Sequence, residues 1–429
     1  MQAVPFLLEL GRGFLEIPLT PFFYVAILLM YLQYRRQVSL ERQLFGVRVT
    51  SAERQTILSV GYGLLGGLLT TLLVSAIGVV LNPTDFIYVW VLAVALAIFN
   101  VRFICFAYAG GILSFVSLLL NALPEYSIGW PWMGQIYEDF RALSVPHLLT
   151  LVAILHLIEA ILVLLQGKEG VSPVFVQSKR GRLIGGFILQ KFWVLPLAAV
   201  AVTGTGGLEP PPWWAILPVV GVHGLQVVPI PAVLGYSGVT LSRHPAEKAA
   251  RTAKYLALYA IVLLLISVLG AKYAPPLLWV AALFSPIAHE FLVKWELADE
   301  KLRRPLFVKP LQGLRILAVL PGSPAESMEL KSGDTITKAN GMPVNSPFDL
   351  HFAMNRNSAF IKLEVMDEQG EIRFVGKPRY SGEHHGLGLI LVPDDSAKEY
   401  IRLESIPIWK RLWSTLSGRN RNSPAKENY

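Results

Sequence analysis

Long apolar runs before residue 300 constrain this chain more than any other feature. TILSVGYGLLGGLLTTLLVSAIGVVL, LLTLVAILHLIEAILVLLQ and LALYAIVLLLISVLG recur with short connectors between them. A run of about 18 or more apolar residues is long enough to cross a bilayer. Over the whole chain 16% of residues are charged, against about a quarter in ordinary soluble domains. The expected fold is a polytopic α-helical membrane domain. Nine candidate spans centre on residues 18–34, 57–81, 85–100, 103–122, 146–165, 184–204, 213–234, 255–270 and 275–292. Several are short or broken by proline, so the expected count is six to nine helices.

The charges order these spans. Basic residues follow the first (Arg35, Arg36, Arg42, Arg48, Arg54), fifth (Lys168, Lys179, Arg180, Arg182), seventh (Arg243, Lys248, Arg251, Lys254) and last (Lys294, Lys301, Arg303, Arg304). The intervening connectors are neutral or acidic. By the positive-inside rule the basic loops and everything after residue 293 face the cytoplasm. The net charge of +8 therefore reports topology and contact with anionic lipid. No motif points to nucleic acid. Trp130, Trp132 and Tyr137, in the connector 123–145, fit a lipid interface. Gly63 and Gly67 have the spacing that lets helices approach closely. The start of the chain lacks a basic segment, and Arg12 interrupts its apolar stretch, so no cleavable signal is expected.

Ionisable residues inside spans are costly and each asks for a reason. His156 and Glu159 share a face of the fifth span, and Lys191 lies in the sixth. Pairing within a helix bundle and a transport pathway both remain open for them. Zinc hydrolysis on a helix asks for His-Glu-x-x-His. This chain offers HEFLV, in which His289 and Glu290 are followed by Val293 where the second histidine would stand. No nucleophile elbow or phosphate loop occurs. The expectation is no catalytic residue, no metal ligand, no cofactor and no enzymatic activity.

Residues after 305 read differently. LRILAVL (314–320) suits a strand, PGSP a turn, and AESMEL a short helix capped by Ser323. TITKAN leads to Asn340-Gly341, a hairpin signal. FDLHFAMN suits a helix on which Phe348 and Phe352 share an apolar side. FIKLEVM, DEQG and EIRFVG read as strand, turn and strand. VLPGSPA (319–325), LKSGD (330–334), NGMPV (340–344) and FDL (348–350) together resemble a bacterial PDZ domain over about 306–394. The resemblance implies a small mixed α/β fold. GLGL (386–389) is similar to the carboxylate-binding loop of such domains, placed after the other strands, as in a circular permutation. It implies a groove for a peptide or protein C-terminus between strand 387–392 and the helix near 347–354. Gly386, Leu387, Gly388, Leu389, Phe348 and Phe352 would line it. Each of these apolar residues has an equal reading as core.

The domain plan is then a membrane domain (1–293), a charged linker (294–305), a PDZ-like domain (306–394) and a tail (395–429). In the tail Trp409, Leu412, Trp413 and Leu416 fall at helical spacing, suited to anionic lipid, a partner or the PDZ-like domain. This plan, together with LTPFFY (19–24), the arginine-rich loop after it and SPIAHE (285–290), resembles the MinJ family of Gram-positive division proteins. The resemblance implies a non-enzymatic adaptor between the inhibitor MinC–MinD and the scaffold DivIVA, at the cell membrane and enriched at septum and poles. A transporter with a regulatory PDZ-like domain, or a divergent membrane protease or protease regulator, are the alternatives.

Overall fold

The computed structural model describes residues 3–126, 129–178, 181–202, 207, 214–217, 224–357, 359–378, 386–394 and 399–401. The tail residues Trp409, Leu412, Trp413 and Leu416 lie outside them. In the first 300 residues the elements are α1 (Ala3–Glu16), α2 (Pro21–Phe45), α3 (Ala52–Ile77), β1 (Val80–Leu81), α4 (Pro83–Phe99), α5 (Phe106–Ala122), α6 (Pro131–Arg141), α7 (Val145–Gln166), β2 (Ser172–Gln177), β3 (Leu183–Val202), β4 (Leu225–Thr240), α8 (Pro245–Lys272) and α9 (Leu277–Leu302). Among the described residues α3, α7, α8 and α9 are each long and apolar enough to cross a membrane, and α1 and α2 meet the same test only together, bent by 56° at their junction. The apolar helices α4 and α5 are shorter. α7 is apolar on every side, and the bundle closes around it, burying 72% of its central window.

The expected sixth and seventh helices are the main correction. β3 occupies Leu183–Val202, and the second half of the 213–234 segment is the start of β4. The two strands pair antiparallel without a break from Phe187–Thr240 to Val202–Leu225. The physical reason is in the sequence. Pro196 weakens a helix over 183–202, and Pro229 with Pro231 weaken one over 225–240 further, whereas α9 tolerates a single internal proline at Pro286. A strand buried on both faces loses its alternation and imitates an apolar helix. β3 is such a strand, buried along nearly its whole length.

A strand among apolar helices must have every backbone group satisfied. One edge of β3 pairs with β4. The other pairs with β2 at one end and β1 at the other. Between them side chains take over: Tyr34 Oη accepts the Phe192 N–H at 3.2 Å and Thr71 Oγ1 accepts the Ala198 N–H at 3.0 Å. Pro196, between these two, has no N–H. The register sets Pro231 and Pro229 opposite Pro196 and Ala198. Their nitrogens therefore also face away from the hairpin, and the outer edge of β4 lacks donors there.

Gly63 and Gly67 serve this hairpin. A Cβ on Gly63 would strike the Val194 carbonyl oxygen, and one on Gly67 the Pro196 carbonyl oxygen. The small-residue spacing thus seats α3 against a strand, where a second helix was expected.

The chain after residue 305 forms β5 (Leu314–Val319), α10 (Pro324–Ser327), β6 (Thr335–Ala339), β7 (Met342–Pro343), α11 (Pro347–Arg356), β8 (Phe360–Met366), β9 (Ile372–Pro378) and β10 (Leu389–Leu391). The sheet order is β10-β5-β6-β8-β9, with β7 beside β6. Ser323 Oγ accepts the Glu326 N–H and starts α10. Asn340 and Gly341 turn β6 into β7 with φ of 50° and 81°. Ser346 and Asp349 form a capping box on α11.

The sheet has two apolar faces. Ile316, Ile336, Leu363 and Val365 face a core shared with α11. Leu317, Ala318 and Ile390 face the core of the membrane half. Phe307, fully buried, packs on Phe187 of β3 at 5.2 Å between ring centres. Backbone bonds from Gly185 N–H to Phe307 O and from Leu306 N–H to Leu241 O fix this seat to the base of the hairpin. The charged stretch 294–305 is mostly the end of α9. Its Glu300 accepts from the Leu241 and Ser242 N–H groups and pairs with buried Arg243 at 3.1 Å. Asp299 holds the same guanidinium at 2.6 Å.

Candidate functional site

The residues expected to form a peptide groove lie at one end of the C-terminal sheet. β10 pairs with β5 through Leu389–Val319, Ile390–Ala318 and Leu391–Ile316. Its other edge meets no strand among the described residues. Gly386 is exposed. Leu387 is buried in the same core as Leu350, Ala353 and Met354 of α11. Gly388 has φ +75°, and a Cβ there would strike Ser323, so this turn requires glycine. Leu389 is half-buried. Carbonyls of Leu387 and Gly388 accept from the Ala325 and Leu320 N–H groups, which ties the turn to α10. Phe348 and Phe352 do share a face of α11, but the exposed one: they are 76% and 51% exposed and stack at 6.3 Å. The core face of α11 is Leu350, Ala353 and Met354. Asp349 accepts from the Asn345 and Ser346 N–H groups, which holds its carboxyl below the usual carboxylate range.

A basic recess lies at the turn between α2 and α3. Arg35, Arg42 and Arg48 line it with Tyr31, Thr50 and Glu53, around a cavity of ≈ 420 Å³. The turn is fixed by buried Glu41, which accepts from the Val49 and Thr50 N–H groups at 2.7 and 2.9 Å.

The polar residues noted within the spans separate into two groups. Lys191 is on β3, fully buried, and donates to Gln55 Oε1 at 3.1 Å. Near it Trp193 Nε1–H donates to Gln166 at 2.6 Å, Gln166 donates to Ser59, and Ser59 meets Tyr34 at 2.8 Å. This chain of bonds ties α2, α3, α7 and β3 together. His156 belongs elsewhere, with Cys105 and His289, at the meeting of α5, α7 and α9. Cys105 Sγ is 3.1 Å from His156 Nε2 and 3.7 Å from His289 Nε2. Glu290, next to His289, accepts from Arg102 and from Tyr108, both at 2.8 Å. Local sequence reading could not find the Cys105–His156–His289 grouping, because its members are 51 and 133 residues apart.

These features define a class: a membrane protein of several apolar helices around a buried β-hairpin, carrying a sheet-containing C-terminal domain. No family model matches the chain. Its sequence is 30% identical over 394 residues to the cell division topological determinant MinJ of Bacillus subtilis, across 91% of this chain and 96% of that protein. It is 28% identical over 233 residues to a probable cell division topological determinant MinJ of Lacticaseibacillus paracasei, across 54% of this chain and 61% of that protein. The chain belongs to the MinJ family.

Proposed function

We propose that this chain is a non-enzymatic membrane scaffold in division-site placement. It joins the inhibitor MinC–MinD to the DivIVA scaffold through cytoplasmic contacts, and concentrates at septum and poles. The observation that carries this reading is the similarity to a cell division topological determinant along 91% of the chain, membrane half and C-terminal domain alike. Placement of a division site needs a membrane anchor and a surface for other proteins, and both halves are retained.

The charges support a cytoplasmic C-terminal domain. Replacing two helices by a hairpin leaves the alternation intact, because both ends of the hairpin, near Arg182 and Arg243, lie at the same end of the molecule as the C-terminal sheet. The recess of Arg35, Arg42 and Arg48 at the start of α3 suits the phosphates of anionic lipid. The C-terminal domain is PDZ-like and permuted in this reading. A partner's extended segment or C-terminus adds to the edge of β10 that pairs with no described strand, and the exposed Phe348–Phe352 stack offers it an apolar contact.

Crosslinking and partner capture from intact membranes tests the scaffold, comparing the full chain with one truncated before residue 306. The expected result is recovery of division proteins by the full chain alone. Equal recovery by the truncated chain would move the binding surface into the membrane half. Within the domain, Phe352→Ala should weaken capture at unchanged thermal stability, since the ring is half exposed. Unchanged capture would leave the proposed groove unused.

A further inference from the structure

The geometry points to a zinc site within the membrane half, formed by Cys105, His156 and His289. Three ligand atoms, one sulfur and two imidazole nitrogens, lie within 4.8 Å of one another. They come from three separate elements: the residue capping α5, the middle of α7 and the middle of α9. In a tetrahedral zinc site, bonds of about 2.3 Å to sulfur and 2.0–2.1 Å to nitrogen put sulfur and nitrogen about 3.6 Å apart. The two sulfur–nitrogen separations here, 3.1 and 3.7 Å, bracket that value.

The outer contacts of the imidazoles strengthen the case. A metal-bound histidine usually donates its other ring N–H to a carbonyl or a polar group, which fixes the tautomer. His156 Nδ1 lies 2.7 Å from the Val152 carbonyl oxygen, which only accepts, so Nδ1 carries the proton. His289 Nδ1 lies 3.3 Å from Tyr108 Oη. The Tyr108 hydroxyl proton is engaged by Glu290 at 2.8 Å, so the phenol oxygen accepts from Nδ1. Glu290 is itself held by Arg102 at 2.8 Å and Lys294 at 3.2 Å. Both Nε2 atoms are therefore left with a lone pair, and both lone pairs face one thiol. A thiol has one proton and satisfies one of them. A divalent cation satisfies both and the sulfur.

Sulfur with two imidazoles is a donor set that favours zinc over magnesium or calcium. Binding converts the Cys105 thiol to thiolate and releases its proton to solvent. Cys105 and His289 are half-buried, whereas His156 is 2% exposed and anchors the site. Three protein ligands leave a fourth position open. Bound zinc would clamp α5, α7 and α9 where no backbone bond joins them. The lost histidine of the HEFLV stretch is thus replaced by ligands from two other elements.

The test uses the full chain purified in detergent, stripped with a chelator and reloaded with zinc or cobalt. Cys105 is the only cysteine in the chain. A thiolate-to-cobalt charge-transfer band in the near ultraviolet can then arise from this residue alone. The expected results are zinc retained near one per chain, the cobalt band present, and both lost in Cys105→Ser. Tyr108→Phe, which removes the outer contact of His289 together with the hydrogen bond to Glu290 and leaves all three ligands in place, should weaken zinc binding by about 10- to 100-fold. No zinc retained and no cobalt band on a monodisperse, folded chain would overturn the site and leave a thiol–imidazole hydrogen bond in its place. Retained zinc without the charge-transfer band would put the metal elsewhere and overturn it equally. Because the cobalt band is read on the unaltered chain, the site is confirmed or overturned even if a ligand variant fails to fold.

Discussion

The two halves of this molecule are held together by different means. In the C-terminal domain many polar contacts are local: Ser346 with Asp349, Ser323 with Glu326, and the Asn340–Gly341 turn are all made within a few residues, beside longer-range ones such as Arg373 with Asp334. In the membrane half the important contacts join distant residues: Gln55 with Lys191, Gln166 with Trp193, Arg243 with Glu300. Local contacts define the ends of elements. Distant polar contacts define the assembly itself, because each buried group left without its partner is costly.

The sharpest way to break this contrast is at the junction of the halves. Arg243→Ala would leave Glu300 and Asp299 without the guanidinium that both now hold. Loss of one partner of a buried ion pair costs about 3–5 kcal/mol. A marked fall in the thermal midpoint of the detergent-solubilised chain is expected, with the C-terminal domain released to protease at lower temperature than in the unaltered protein.

The seat of α3 on the hairpin is next. Gly67→Val drives a side chain into the Pro196 carbonyl, and overpacking of this kind costs about 1–3 kcal/mol. Gly61→Ala, on the same helix, meets nothing within 4 Å and should be neutral or slightly stabilising. Thermal melts of the two variants side by side measure the difference. Equal effects would mean that α3 does not rest on β3.

In the C-terminal domain the effects are smaller. Ser346→Ala removes one side of the capping box and should cost about 1 kcal/mol. The Asp349 carboxyl, held below its ordinary range by the Asn345 and Ser346 N–H groups, adds stability above the unfolded-state pKa. That contribution is lost as pH falls through the lower folded-state value. Asp349→Asn should therefore lower the melting point at neutral pH and flatten the acid limb, so that the two curves converge at low pH.

The same contrast explains what was legible in the sequence. Every element expected from Leu314 to Gly376 is present, because cap and turn residues mark their ends. Seven of the expected spans are helices among the described residues, although α4 and α5, at 17 residues each, are shorter than the helices long enough to cross a membrane. The hairpin was not legible as strands. LIGGFILQKFWVLPLAAVAV has no alternation, since neighbours cover both faces, and only Pro196, with Pro229 and Pro231 opposite, argues against a helix. At Gly388 the structure shows a turn that requires glycine, with φ +75° and a Cβ that would strike Ser323. The solvent side of Phe348 and Phe352 was not legible, because Leu350, Ala353 and Met354 offer α11 an equally apolar second face. Cys105, His156 and His289 carry no shared spacing, and only the packing of α5, α7 and α9 brings them together.

The core of the membrane half rests on Leu183–Val202 and Leu225–Thr240 entering the bundle as paired strands. Double-cysteine crosslinking in a Cys105→Ser background tests that pairing. Val194 is opposite Val233, and Phe192 is opposite Gly235. Opposed positions of the type that does not exchange backbone bonds have Cα atoms about 4.5 Å apart, within disulfide range. Paired strands require efficient oxidation of Val194→Cys with Val233→Cys and of Phe192→Cys with Gly235→Cys, and none for Val194→Cys with Val228→Cys. Crosslinking that instead recurs every three to four residues along 183–202 would mean a pair of helices and would rule out the hairpin.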